Sequence, residues 1–460
     1  MKEKNIFICQ ECGYQSVRWL GKCPACGQWN SFQLEQETKN NDRQIVFEPP
    51  KKLDEIEKEV GEKRIPAGIS EFDRVLGGGI VSGSVILLAG EPGIGKSTLV
   101  LSVADKIVSS ERKVLYVSGE ESLSQLKIRA DRLKIKNTSD IYFLSNSDIE
   151  VIKTVIDDFK PQILIIDSIQ LIYNSQLDYS YGSSFQIRET AHFFIEWAKK
   201  NNVSIFLIGH ITKDGAIAGP KTLEHLVDVV IYFEGESMSN LRILRNMKNR
   251  FGPTDEIGVF IMEQEGLCEV PEASKLFLSS RKENISGSAI FPSQEGKRTI
   301  LVEIQCLVSP GYFNIPRRTF TGLDYNKVNL ILAVMEKKYK LNFSSHDVYF
   351  NVSGGLKIDE PAVDLPIAIA SISSFKEIPT PADAVFIGEL SLTGEIRPVP
   401  YIPLRIKESV RLGFKKVFIP KISDNISISG IKIFQAEYLG DIVKILFPTE
   451  QKQSVKTSNL

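Results

Sequence analysis

The chain has 460 residues, 25% charged and 42% hydrophobic, with 56 Lys and Arg against 57 Asp and Glu and a net charge of −1. These values suit a globular protein and exclude a mainly disordered one, and the length exceeds one ordinary core, so two or three domains are expected. No apolar run approaches the roughly 20 residues that span a bilayer, and the start MKEKNIFICQECG lacks the apolar stretch of a secretory signal, so a cytoplasmic protein with no membrane contact is expected.

Four of the six cysteines crowd into the first 26 residues as Cys9, Cys12, Cys23 and Cys26, two CxxC pairs separated by ten residues. Each pair can turn two thiolates onto one tetrahedral centre, and Gly13 and Gly27 let the backbone turn beneath them. Four sulfur ligands leave no open position for chemistry, so the expected ion is a structural Zn²⁺. Disulfides are disfavoured in a reducing compartment, and a redox pair needs only one CxxC. In so small a unit, residues 1–34, metal binding supplies most of the folding energy. Arg18, Trp19, Lys22 and Trp29 suit either contact with nucleic acid or a partner, or the minimal packing of the unit. The remaining cysteines, Cys268 and Cys306, stand alone and are expected to fill apolar sites. Residues 35–62 mix charges of both signs around Pro49 and Pro50 and read as a tether, partly helical near LDEIEKEV.

The next segment, 63–275, carries the main chemistry. Ser84–Ala89 is a short apolar run bounded by glycines and reads as a buried strand. The nine residues after it are Gly90, Glu91, Pro92, Gly93, Ile94, Gly95, Lys96, Ser97 and Thr98, which contain a complete G-x-x-x-x-G-K-[ST] loop. A helix follows, with Leu99, Val103 and Ile107 on one stripe. Consecutive backbone N–H groups and the helix N-terminus suit the phosphates of ATP; Lys96 is expected to reach the β and γ phosphates and the Ser97 hydroxyl to ligate Mg²⁺. KVLYVSGEES sets Glu120 and Glu121 just beyond a second strand, where one can polarise the attacking water, Glu120 being the expected catalytic residue, and one or both can cap the next helix. Ile163–Ser168 is an aliphatic run ending at Asp167, a second expected Mg²⁺ residue and catalytic acid. VSIFLIGH ends at His210, either a γ-phosphate sensor or a packing residue. Alternating strands and helices give an α/β, mostly parallel sheet covered on both faces. Residues 228–263 read as further strands containing Lys248-Asn249-Arg250-Phe251-Gly252, whose cations taken alone are ordinarily solvated.

In their order along the chain, the zinc knuckle, GEPGIGKST, LIIDSIQ, GHITKDG and KNRFG resemble the RadA/Sms family over nearly the whole sequence except the linker and tail. The resemblance implies a RecA-like ATPase related to DnaB-type ring helicases, a homo-hexamer encircling DNA, and branch migration in homologous recombination. It implies single-stranded and branched DNA and a RecA-type recombinase as partners, and ATP, Mg²⁺ and Zn²⁺ as bound groups. It also assigns Lys248 and Arg250 a reach to a neighbour's nucleotide or to DNA. Because single-stranded DNA is open to aromatic stacking, Phe251 and Phe320 are candidate platforms for it.

From residue 276 to 450 the pattern changes. ILVEIQCLV alternates partly at a strand period, and GLDYNKVNLILAVMEKK reads as a helix burying Val328, Leu332 and Met335. GGLKIDEPAVDLPIAIASISS and GELSLTGEIRPVPYIPLRIKESVRLGFKKVFIP are similar to the protease domain of Lon, which pairs a serine with a lysine. Here Ala362, within Asp359–Asp364, stands at the nucleophile position, and Pro403 stands at the lysine position with Arg405 nearby. Alanine is no nucleophile and arginine no base, so an inactive α+β Lon-protease-like domain is expected, followed by a tail at 451–460. Arg317 and Arg318 beside Phe320 form a basic patch suited either to DNA phosphate or to solvent. Against the motor stand an ATP-dependent protease, which Ala362 opposes, and a nucleotide-gated scaffold of the KaiC-like branch, which gives no reason for the zinc knuckle or KNRFG.

Overall fold

The computed structural model describes residues 5–9, 14–25, 27–36, 64–108, 112–177, 179–210, 222–235, 240–278, 282, 284–311, 316–423 and 426–448. Cys12 and Cys26, most of the expected linker with LDEIEKEV, the ITKDG that follows His210 and the tail lie outside them. The chain divides into two compact units, Met1–Glu269 and Val270–Leu460. Among the described residues no helix is long and apolar enough to cross a membrane.

At the N-terminus, strand Asn5–Cys9 pairs antiparallel with both Gln15–Ser16 and Phe32–Gln36. The two CxxCG loops close with the same bond five residues apart: Cys9 N–H donates to the Tyr14 carbonyl (2.9 Å) and Cys23 N–H to that of Gln28 (2.8 Å). Cys9, Cys23 and Phe32 are buried together against Phe7 and Leu20, which is the small core expected of a unit held by metal. Trp29 and Trp19 are instead 68% and 52% exposed, so minimal packing does not account for Trp29. Trp19 anchors through its indole N–H to the Phe32 carbonyl, and Lys22 lies over the Trp29 ring.

The larger sheet consists of β1 (Val85–Gly90), β2 (Val114–Ser118), β3 (Ile141–Ser145), β4 (Ile163–Asp167), β5 (Ser204–His210), β6 (Val229–Glu234), β7 (Leu241–Asn249), β8 (Ile257–Glu263) and β9 (Gly266–Glu269). Their spatial order is β9-β8-β7-β6-β1-β5-β4-β2-β3. The first six are parallel, whereas β7 to β9 add antiparallel hairpins at one edge. Helices α1 (Lys96–Ile107), α2 (Leu123–Arg132), α3 (Ile149–Phe159) and α4 (Ser184–Asn201) connect the parallel strands.

Strand period two sorts β1 between two cores. Ile86 and Leu88 pack with Leu99, Val103 and Ile107 of α1, while Leu87 and Ala89 pack with Ile152, Ile187 and Phe194. A strand buried on both faces has to be apolar throughout, which is why SVILLA carries no alternation. One expectation fails here: Cys268 is exposed, because β9 is the outermost strand and offers no second layer to bury it, whereas Cys306 is buried.

In the second unit the sheet comprises β10 (Ser288–Glu295), β11 (Arg298–Pro310), β12 (Arg318–Thr321), β13 (His346–Val352), β14 (Ala384–Phe386), β15 (Lys416–Pro420) and β16 (Lys432–Ala436), ordered β12-β13-β11-β10-β14-β15-β16. Helix α5 (Tyr325–Tyr339) buries Val328, Leu332 and Met335 as its periodicity predicts. Helix α6 (Asp364–Lys376) is buried from Asp364 to Ser374, in line with its apolar run. Helix α7 (Ile402–Arg411) presents Ile402, Arg405, Ile406 and Ser409 inward.

Candidate nucleotide site

Strand β1 delivers Gly90 to the C-terminal edge of the sheet, and the chain turns through residues 91–95 into α1. A Cβ at Gly90 would stand 2.6 Å from the Phe233 carbonyl oxygen of the neighbouring strand. Gly95 has φ +115°, and a Cβ there would meet Met262 Cε at 2.5 Å. Both positions therefore favour glycine, for close approach of backbone in the first case and for conformation in the second.

Lys96 is buried, its amine donating to the carbonyls of Gly90 and Glu91, both at 2.9 Å, and lying 3.1 Å from His210 Nδ1. On the other side of that ring, His210 Nε2 is 2.9 Å from Glu120 Oε1, which also accepts from the Ser168 hydroxyl at 2.9 Å. Residues from the ends of β1, β2, β4 and β5 thus converge on one point, where the carboxyl ends of parallel strands hold ligands. Burial lowers the Lys96 pKa to about 8, with the charges of Asp167 and Glu120 opposing it. The hydrogen bond from His210 holds the Glu120 carboxyl below its ordinary value, assisted by Ser168 and Lys96 against partial burial.

The structure separates the two glutamates that the sequence left together. Glu120 faces the loop lysine through His210, whereas Glu121 is paired with Arg129 of α2. Neither caps α2: that is done by Ser122 with Gln125 in a reciprocal capping box.

Asp167 is 5% exposed. Its Oδ2 accepts from the Tyr116 hydroxyl. Oδ1 is buried without a hydrogen-bond partner. Burial pushes this carboxyl up, while Tyr116 and Ser97 restrain it; Tyr116 itself is pushed well above its ordinary value by burial and by Asp167. A buried carboxylate oxygen left unmatched beside a serine hydroxyl fits a hard divalent cation, which prefers oxygen ligands.

Three contributors were not singled out in the sequence: Tyr116, Ser168 and Arg242, whose Nε donates to the Ile94 carbonyl in the phosphate loop at 3.1 Å. Tyr116 and Ser168 carried a signal, being respectively an inward mid-strand residue and the neighbour of Asp167. Arg242 carried none, since its strand reaches the loop only through sheet pairing.

KNRFG lies elsewhere. Lys248 Nζ donates to the carbonyls of Glu224, His225 and Val227 at 2.9, 3.0 and 2.8 Å, closing the end of helix Thr222–Leu226. Arg250 pairs with Asp228 at 3.2 Å and remains half exposed, and Asp228 accepts from the Val85 amide at 3.0 Å. Val85 is the first residue of β1 and Gly90 the last, so these cations stand at the sheet edge opposite their own phosphate loop. Phe251 is partly buried against the adjoining core.

In the second unit, Arg317 is exposed, while the Arg318 guanidinium donates to the carbonyls of His346 (3.0 Å) and Phe343 (2.7 Å). Phe320 packs against Phe350 and Tyr325. Ala362 is buried, Pro403 is exposed in the first turn of α7, and Arg405 is 1% exposed with its guanidinium on the Glu360 carboxylate.

Family models match three segments: "Rubredoxin metal binding domain" over residues 7–33, "AAA domain" over 50–216 and "Subunit ChlI of Mg-chelatase" over 327–423. The DNA repair protein RadA of Listeria monocytogenes is 46% identical over 454 residues, covering 97% of this chain and 99% of that protein. That of Bacillus subtilis is 48% identical over 428 residues, covering 91% and 93%. Among solved structures, a RadB recombinase is 22% identical with a TM-score of 0.36, and a KaiC-like protein of Pyrococcus horikoshii is 20% identical with a TM-score of 0.38; each aligns with 45% of this chain and 99% of its own.

The fold and site define an ATP-hydrolysing P-loop protein with a RecA-like core, a zinc-ribbon segment and a Lon-like C-terminal domain. The chain belongs to the RadA family of DNA repair proteins.

Proposed function

We propose that this protein is a DNA-dependent ATPase of homologous recombination, assembled as a DnaB-type homo-hexamer, that moves branched DNA intermediates by translocating on single-stranded DNA. The observation that carries the assembled form is the place of KNRFG. Cations at the sheet edge remote from their own phosphate loop can serve a neighbouring subunit's nucleotide or DNA, and half-exposed Arg250 is better placed to do so than Lys248. Within each site Ser97 and Asp167 would hold Mg²⁺, which would supply charge compensation to the transferred phosphate. Lys96 leaves the loop carbonyls for the β and γ phosphates, and Glu120, oriented by His210 and Ser168, positions the attacking water. Cys9, Cys12, Cys23 and Cys26 hold the zinc, and the C-terminal domain is an inactive scaffold without protease activity. RadA relatives named as DNA repair proteins support the cellular role; the proposal adds a RecA-type recombinase as partner and the cytoplasm as its place.

Arg250→Ala is expected to keep nucleotide binding and lose hydrolysis, while mixing with Lys96→Ala subunits restores part of the activity by joining an intact loop to an intact cation. No recovery in mixed rings shown by mass to form would assign Arg250 to DNA instead.

Single-stranded DNA is expected to stimulate ATP turnover, and about 6 to 10 phosphate contacts would lower affinity by roughly 10³ to 10⁵ between 50 and 200 mM salt. A labelled junction should move with ATP and stay put with a non-hydrolysable analogue. Equal movement in both, or stimulated hydrolysis with no movement, would replace the motor by a nucleotide-gated scaffold.

A further inference from the structure

Tyr116 lies in the middle of β2 and is fully buried. It belongs to the core that also holds Leu99 of α1 and Ile165 of β4, and its ring tilts against that of Phe143 on β3 at a centroid distance of 5.5 Å. Phenylalanine would fill the same space, and burying a hydroxyl costs free energy unless it is bonded. The hydroxyl of Tyr116 is bonded to Asp167 Oδ2.

Strand register explains that reach. β2 and β4 run parallel, with Tyr116 opposite Ile165 and Ser118 opposite Asp167. Alternation therefore puts Tyr116, Ile165 and Asp167 on one face, with Asp167 two residues nearer the carboxyl edge of the sheet. Two residues of strand advance about 6.6 Å, close to the length of a tyrosine side chain. A shorter donor at position 116 would not arrive.

The contact divides the two carboxylate oxygens. Oδ2 is taken by the hydroxyl, while Oδ1 is buried without a hydrogen-bond partner. The last torsion of an aspartate is broad and roughly two-fold, so a fixed donor on one oxygen removes a freedom the side chain otherwise keeps. A tyrosine is also a neutral donor. It orients the carboxylate without cancelling the charge that a divalent cation needs, in contrast to Glu121, which is paired with Arg129.

We infer that Tyr116 is a positioning residue for the cation of the nucleotide site, its hydroxyl holding Asp167 Oδ2 so that Oδ1 is kept for Mg²⁺. The inference rests on the reading of Asp167 as a Mg²⁺ residue. Loss of an outer-shell partner of a metal ligand commonly lowers metal affinity or activity by about 10- to 100-fold.

The test uses full-length protein and a fluorescently labelled, non-hydrolysable ATP analogue, with affinity measured in EDTA and in excess Mg²⁺. Tyr116→Phe keeps the ring and removes the hydroxyl. The gain in affinity on adding Mg²⁺ should fall by about tenfold or more in this variant, while affinity in EDTA stays at the wild-type value. The Mg²⁺ concentration for half-maximal ATP turnover should rise by a similar factor, with turnover at saturating Mg²⁺ little changed. Asp167→Asn should lose the gain, and adding Tyr116→Phe to it should change nothing further, because the hydroxyl acts through that carboxylate. An undiminished gain in Tyr116→Phe, with the gain lost in Asp167→Asn, overturns the role of Tyr116 and leaves the metal reading standing. Equal weakening in EDTA and in Mg²⁺ would show that the hydroxyl supports the nucleotide site as a whole, and overturns it too. A gain retained in Asp167→Asn would remove the metal reading itself and the inference with it.

Discussion

Lys96→Ala is expected to reduce ATP turnover by about a hundredfold to a thousandfold, as removal of one positioned electrostatic group at a reacting centre commonly does. The amine is buried and already aimed across the loop mouth by the Gly90 and Glu91 carbonyls, so it reaches the phosphates with little reorganisation. It also stands 3.1 Å from His210, which in turn contacts Glu120. Its loss removes phosphate charge compensation and one of the groups restraining the His210–Glu120 pair together. The fold should survive, because alanine leaves α1 and both cores intact. Two measurements check this: phosphate release, and the rise in melting temperature on adding nucleotide. At a ligand concentration 100 times Kd that rise corresponds to about 2.7 kcal/mol in the wild type and should shrink in the variant. Wild-type turnover in Lys96→Ala would place hydrolysis elsewhere.

How much of this site was readable in the sequence follows from how local each feature is. The phosphate loop was readable because nine consecutive residues carry it, and Asp167 because four aliphatics point to a buried strand ending in an acid. Glu120 was the expected catalytic carboxylate, but the pairing of Glu121 with Arg129 one helix away was not readable. Tyr116 was hidden in plain view: strand alternation put it on an inner face, but only the pairing of β2 with β4 sets its hydroxyl against Asp167. The remoteness of KNRFG from the loop followed from β7 running antiparallel to β6, a non-local fact. Cys268 misled because a lone cysteine suggests burial, and strand order decided otherwise. Of the zinc unit, the two equivalent loops were readable from spacing alone; the exposure of Trp29 was not.

Arg405→Ala is expected to destabilise the second unit by about 3–5 kcal/mol, the cost of breaking a buried ion pair by removing one partner. Arg405 is the largest fully buried side chain among the described residues. Its guanidinium grips both oxygens of Glu360 and donates to the carbonyls of Pro292 (2.6 Å) and Pro400 (3.2 Å), with the Phe291 ring beneath it. Glu360 also accepts from the Ser293 hydroxyl and the Gln294 amide, so the pair ties β10 to α7 and to the segment before α6. In the alanine variant Glu360 would keep its charge with the matching cation gone, and the carbonyls of Pro292 and Pro400 would lose their donor. Urea unfolding of the full chain, followed by a probe in the second unit, should show its transition at lower denaturant while the ATPase transition stays in place. Arg405→Met combined with Glu360→Leu should recover most of the loss, because removing both charges also removes their desolvation. A transition unmoved in Arg405→Ala would mean that the pair is not holding the domain together. The same residues explain why a Lon-like domain with Ala362 buried needs no protease chemistry to retain its shape: an always-charged arginine near the expected base position binds a neighbouring carboxylate and acts as a staple.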